Sequence, residues 1–141
     1  MSRLRDTARA MSQENVEIVR RAIAVYSRTG EPPENFFDSE IEVWESPELP
    51  GELAGTGLGN LVQANEYLME SFEEWSIEPE RFFDLGERVL VFVCFRVRGK
   101  GSGVQVDAPL AYLLTLREGK VIEWGLFGDR RKALEAVGLS E

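Results

Sequence analysis

Residues 88–127 constrain the fold more than any other part of the sequence, because they contain three strand patterns joined by two turns. Arg88–Arg98 has a valine or phenylalanine at every second position, which places Val89, Val91, Val93, Phe95 and Val97 on one face of a strand. Val104–Arg117 follows a short glycine-containing turn, and Lys120–Phe127 follows the Glu118–Gly119 turn. Alternation with a period of two is typical of strands that bury one face. The second half of the chain is therefore predicted to form an antiparallel sheet.

The first half of the chain contains two helical patterns and one further strand. Apolar residues at helical spacing predict a helix over residues 13–28, capped by Ser12 and ended by Gly30. A second helix is predicted over residues 60–75. Ile41–Glu45 alternates between apolar and polar residues and predicts a strand.

Three shorter segments complete the predicted architecture. Residues 46–59 are rich in glycine and proline and predict a loop. A strand is predicted over residues 77–84, so that the sheet extends from residue 77 to residue 128. Asp129 is the predicted N-cap of a short last helix, residues 130–137. Because helices precede strands instead of alternating with them, the class predicted is α+β with segregated layers.

A length of 141 residues predicts a single domain. A second Met-Ser pair begins at Met11, which indicates a domain of residues 11–141 preceded by a mobile extension, residues 1–10. That extension contains three arginines but no apolar segment typical of a signal peptide. The longest apolar runs are also far shorter than the ~20 residues that span a bilayer. The predicted location is the cytoplasm.

Composition excludes several classes of function. The chain contains no histidine, which excludes Ser-His-Asp and Cys-His catalysis and histidine metal sites. Cys94 is the single cysteine, so neither an intramolecular disulfide nor a cysteine metal site is possible. No metal and no cofactor are predicted. A net charge of −9 argues against nucleic acid and anionic membranes as partners.

Four stretches of the sequence resemble a known family. They are MSQENVEIVRRAIAVYSRTGE, DSEIEVWESPELPGELAGTGLGN, YLLTLREGKVIEW and FGDRRKALEAVGLSE. Together they resemble the SnoaL-like branch of the nuclear transport factor 2-like superfamily, over residues 11–141. The resemblance implies a cystatin-like cone, in which a curved antiparallel sheet wraps around the N-terminal helices and encloses a central apolar pocket. Ketosteroid isomerases, polyketide cyclases, epoxide hydrolases, dehydratases and binding proteins share this fold, so the fold does not name a reaction.

The resemblance also implies candidate catalytic residues. The general base of the isomerases is matched by Glu45, or by Ser46 in an alternative register. The isomerases' acidic oxyanion donor and the histidine of SnoaL-type cyclases both match Tyr112. The isomerases' tyrosine on the first helix matches Ile23, which donates no hydrogen bond, and Tyr26 is the nearest phenol.

Two readings of each candidate follow from the residues themselves. Glu45 shares a strand face with Ile41 and Val43, so burial would raise the pKa of its carboxyl toward the range of a general base. In the other reading the strand frays and Glu45 is solvated. Tyr112 either stabilises a developing oxyanion or is a core tyrosine bonded to a backbone carbonyl. Arg96 lies on the opposite strand face from the pocket, which argues against epoxide hydrolase chemistry.

The predicted wall of the pocket is apolar and offers no cation, so a neutral apolar ligand is expected. Its residues are Tyr26, Val91, Val93, Phe95, Leu110 and Trp124. Phe92, Cys94 and Leu113 point to the other face of the sheet, where they are too apolar for a monomer surface. A homodimer through that outer face is therefore predicted.

The sequence is compatible with two functions and with a third, purely structural class. The first is a cofactor-independent isomerase, cyclase or dehydratase-like lyase, which transfers a proton α to a carbonyl on an apolar ring-containing substrate. The alternative is a non-catalytic small-molecule-binding or dimeric assembly domain with the same pocket. A purely structural dimerisation module would require a cone filled with side chains.

Overall fold

The computed structural model describes residues 2–139, with side chains from residue 13 onward, and it has the predicted α+β class. Three helices pack with one curved six-stranded sheet. The elements are, in chain order, α1 (Ser2–Thr29), β1 (Phe37–Glu45), β2 (Gly55–Thr56), α2 (Leu58–Ser71), β3 (Phe72–Asp84), β4 (Arg88–Gly99), β5 (Gln105–Arg117), β6 (Lys120–Phe127) and α3 (Arg130–Ala136).

The sheet is mixed, with the strand order β2-β1-β6-β5-β4-β3. The three predicted strands at the end of the chain pair as antiparallel neighbours, as expected. The predicted antiparallel sheet over residues 77–128 corresponds to β3–β6, and β1, which lies outside that range, pairs with β6 in parallel. More than half of the chain lies between β1 and β6 in the sequence, so no turn between them sets their relative direction.

The first helix is longer than predicted. It begins at Ser2, whereas the sequence pattern placed its start after Ser12. Residues 2–12 contain no glycine or proline, so nothing in the local sequence stops the helix at Ser12. Its end is as predicted, because Gly30 follows the last turn at φ 72°, a conformation that glycine adopts readily. The predicted extension, residues 1–10, falls partly outside the described residues, and its mobility stays a prediction.

Two further boundaries differ from the prediction. The second helix ends at Ser71, and β3 begins at Phe72, five residues before the predicted start of this strand. Pairing with the long strand β4 extends β3 as far back as Phe72, which lies opposite Gly99. In the predicted loop, Gly55–Thr56 forms a short strand on the edge of β1. In both places, pairing between distant segments overrides local propensity.

Apolar side chains form two clusters, one on each face of the sheet. The larger cluster fills the cone between the sheet and helices α1 and α2. The smaller lies on the outer face, where Ala133 and Leu134 of α3 pack with Phe92 and Leu113. The N-cap of α3 is Asp129, as predicted, and its carboxylate accepts from the backbone N–H of Arg131.

A homodimer through the outer face was predicted because apolar residues on that face would otherwise be exposed, but α3 covers two of these residues. Phe92 and Leu113 are only 6% and 7% exposed within one chain, because α3 covers them. The sequence pattern did not show that the last helix returns over the sheet. Cys94 is partly exposed on the same strand, and the dimer stays a prediction.

The described helices include none that is long and apolar enough to cross a membrane.

Candidate functional site

An apolar cavity lies inside the cone, between the sheet and the two first helices. Five of its wall residues are aromatic: Tyr26, Trp75, Phe95, Tyr112 and Trp124. The others are aliphatic: Val43, Leu53, Leu61, Ala64, Leu68, Ile77 and Leu126. No charged side chain among the described residues lines this cavity, so its wall favours neutral molecules.

The free volume at the centre of the cavity is about 40 Å³. A site for one water needs at least roughly 10–15 Å³, so this free space is small beside a ring-containing molecule. A ring-containing molecule fits only if part of the wall moves.

Trp124 is the centre of the aromatic cluster that bounds the cavity. Its ring stacks on Phe37 at a centroid distance of 5.7 Å, with an interplanar angle of 2°. Tyr112 and Tyr26 meet it edge-on at 5.2 Å and 5.8 Å. Tyr26 in turn packs against Trp75 at 5.5 Å. Such tilted and T-shaped contacts are the favoured geometries of aromatic pairs, so this wall is held by many mutually supporting contacts.

The polar atoms at the cavity differ in whether they have partners. The Tyr26 hydroxyl donates to the carbonyl of Leu61 at 2.6 Å. The Tyr112 hydroxyl has no partner in the part of the chain that the structure describes. The indole Nε1 of Trp124 is buried and also lacks one there. Burial raises the pKa of both tyrosines, so both remain protonated donors at neutral pH.

Glu45 lies on the side of β1 that faces the cone, but its carboxylate is not part of the cavity wall. The parallel register places it beside Leu126, a wall residue. Its Oε2 accepts a hydrogen bond from the backbone N–H of Leu53 at 2.8 Å. The structure therefore brings Tyr112 to the cavity wall and bonds the Glu45 carboxylate to the backbone of Leu53. Their catalytic roles stay predictions.

Three of the six predicted wall residues line the cavity: Tyr26, Phe95 and Trp124. Val91 and Val93 are completely buried in the core outside the lining. Leu110 is half-buried and also lies outside it. The reason is that filled core and empty cavity share one strand face, and alternation cannot separate them.

The two residues that the alternative matches singled out also lie outside the cavity wall. Ile23 is completely buried in the core. Ser46 is buried, and its backbone N–H donates to the carbonyl of Leu126 at 2.8 Å. On the outer face, Arg96 pairs with Asp107 at 3.0 Å, which agrees with its predicted orientation away from the pocket.

Several residues of the cavity wall were not among the predicted site residues, and Leu53 and Trp75 are two of them. Leu53 lies in a glycine-rich loop with no periodicity to mark it as a wall residue. Trp75 was assigned to the second helix, whereas in β3 it lines the cavity and donates from Nε1 to Asn65 Oδ1 at 2.9 Å. The signal available in the sequence was that Trp75 is a large aromatic residue at the end of a predicted helix.

Among the described residues, no group of acidic or cysteine side chains is arranged to hold a metal ion.

Comparison with solved structures identifies the fold. A protein classed as a SnoaL-like polyketide cyclase from Jannaschia sp. CCS1 superimposes with a TM-score of 0.67 at 22% identity, over 93% of this chain and 96% of its own. A nuclear transport factor 2-like protein of unknown function from Burkholderia pseudomallei K96243 gives 0.68 at 17%, over 88% and 97%. A protein with a ketosteroid isomerase-like fold from Catenulispora acidiphila DSM 44928, in complex with trimethylamine, gives 0.66 at 16%, over 88% and 94%.

The chain therefore has the SnoaL-like, nuclear transport factor 2-like fold that the resemblance implied. No family model and no curated protein matches its sequence.

Proposed function

We propose that this protein binds a small, neutral and mostly apolar molecule that carries one hydrogen-bond acceptor. The observation that carries this proposal is that Tyr112 lines an apolar cavity and that its hydroxyl forms no hydrogen bond among the described residues. A buried tyrosine hydroxyl ordinarily finds a partner. A carbonyl oxygen on the ligand would supply the acceptor, and the aromatic wall would contact the rest of the molecule.

Replacing Tyr112 with phenylalanine should weaken binding of a ketone about three- to tenfold, because one neutral hydrogen bond is lost. Titration calorimetry with cyclohexanone measures this loss. Methylenecyclohexane has the same shape without the oxygen, and its affinity should not change. Tyr67→Phe, at an exposed position of α2, is the matched control. Wild-type protein that binds neither compound contradicts the proposed function.

A proton-transfer enzyme, of the isomerase or cyclase kind, is the second candidate. The specific observation in its favour is the register of β1, which places Glu45 on the cone-facing side next to Leu126. If Leu53 released the carboxylate, Glu45 would be near a ligand whose carbonyl Tyr112 binds. A base and an oxyanion donor are the two groups that enolisation needs.

The enzyme candidate predicts that Glu45→Gln lowers kcat for isomerisation of 3-cyclohexenone about 100-fold while affinity is retained, because the amide accepts no proton. Ultraviolet absorbance of the conjugated product measures turnover. Glu42→Gln is the control, because Glu42 lies on the same strand, is exposed and bonds Thr56 instead. Equal turnover of wild type and Glu45→Gln would exclude Glu45 as the base.

The cytoplasmic location and the homodimer stay predictions.

A further inference from the structure

Leu53 differs from every other residue of the cavity wall. The rest of the described wall lies on α1, α2 or the strands of the sheet, whereas Leu53 lies in the loop between β1 and β2. Helix and strand residues are fixed by backbone hydrogen bonds along their element. Leu53 is therefore the wall residue that moves at the lowest cost.

Two side chains hold the backbone of Leu53 in place. Its N–H donates to the Glu45 carboxylate at 2.8 Å, and its carbonyl accepts from Asn60 Nδ2 at 2.9 Å. Glu45 ends β1 and Asn60 lies in the first turn of α2, so both anchors stand on regular elements. Ala54 N–H makes a local turn with the Gly51 carbonyl, and the next regular pairing begins two residues after Leu53, where Gly55 lies opposite Val43 of β1.

The size of the closed cavity makes this arrangement consequential. With about 40 Å³ free, a ring-containing ligand displaces part of the wall. Displacing a strand or helix would break several ladder bonds, whereas displacing Leu53 breaks the two bonds to Glu45 and Asn60. Access to the cavity and the capacity of the cavity thus depend on the same residue.

We propose that Leu53 is the specificity-determining residue of this cavity, and that Glu45 and Asn60 are positioning residues that hold it across the binding site. Leu53 sets the largest neutral ligand that the cone accepts. This inference rests on the proposed binding function and assigns to Glu45 a role that needs no chemistry. A ring-containing ligand displaces Leu53, and a two-ring ligand displaces it further than a one-ring ligand does.

The experiment compares cyclohexanone, a one-ring probe, with 2-tetralone, a two-ring probe, by titration calorimetry. Leu53→Ala should raise affinity for 2-tetralone about tenfold and change that for cyclohexanone less than about threefold, because the larger probe needs more of the space that the truncation frees. Leu49→Ala is the matched control, because Leu49 is a half-buried leucine of the same loop outside the cavity wall. Leu53→Val gives a smaller effect in the same direction and covers the case in which the alanine variant does not fold.

The positioning role is tested by the association rate of 2-tetralone, followed by tryptophan fluorescence in a stopped-flow instrument, since Trp75 and Trp124 line the cavity. Glu45→Ala should associate about tenfold faster, because a hydrogen bond to a charged group is lost. Glu45→Gln should restore a near wild-type rate, because its amide oxygen accepts the same N–H. A merely structural role would lower the thermal midpoint of Glu45→Ala without accelerating association.

The two proposals fail in different ways. If wild-type protein binds neither probe, the proposed binding function is wrong. If wild-type protein binds cyclohexanone, but the Leu53 and Glu45 variants leave the 2-tetralone affinity and association rate unchanged, the role of Leu53 is overturned while the binding function stands. An equal gain for both probes in Leu53→Ala also overturns the inference, since it would show no selection by size.

Discussion

Trp124→Ala should lower the free energy of unfolding by about 3–5 kcal/mol, the range observed when a large buried aromatic side chain is truncated. Trp124 is 3% exposed and contacts Phe37, Tyr26 and Tyr112 at once. Its removal deletes the stacked pair and both edge contacts. The void joins an existing cavity whose walls, apart from Leu53, are regular elements, so collapse around it is restricted.

Urea denaturation followed by far-ultraviolet circular dichroism measures this loss. Tyr67→Ala is the control, because Tyr67 is 43% exposed on α2 and should cost much less. A loss below about 1 kcal/mol for Trp124→Ala would contradict the packing described here.

Arg130→Ala should destabilise the protein by about 3 kcal/mol, because two backbone carbonyls lose a charged donor. The Arg130 guanidinium donates from Nη2 to the carbonyl of Val93 at 2.8 Å and from Nε to that of Leu110 at 3.2 Å. Pro79 lies opposite Val93 in the neighbouring strand and has no N–H to offer. The same guanidinium also pairs with Glu80 and lies over the Phe92 ring.

A positive charge in the first turn of a helix is ordinarily unfavourable, so these contacts explain why an arginine begins α3. Arg131→Ala is the matched control, because the next arginine of the helix is exposed and forms no ion pair in the described chain. Arg130→Lys should recover only part of the stability, since an ammonium cannot reach both carbonyls with a planar fork. Equal denaturation midpoints for Arg130→Ala and Arg131→Ala would show that Arg130 does not join α3 to the sheet.

The sequence alone determined the elements whose signals are local. A valine or phenylalanine at every second position of Arg88–Arg98 predicted a strand whose cone-facing side is buried, and Val89, Val91 and Val93 are completely buried. Leu90 and Phe92 on the opposite side are buried as well. Gly30 ends α1 and Asp129 caps α3. Both helix ends were predictable because a cap depends only on the residue itself and its close neighbours in the sequence. The fold class followed from the order of these elements and from the family resemblance.

Tertiary structure decided everything that depends on which distant segments meet. The parallel pairing of β1 with β6, the return of α3 over Phe92, and the capture of Glu45 by the Leu53 backbone leave no local pattern. A strand's alternation reports which face is buried, but it contains no information about what buries it. For the same reason, sequence placed Glu45 on the correct side of its strand, and only the folded chain decided that its carboxylate bonds a loop at the edge of the cavity.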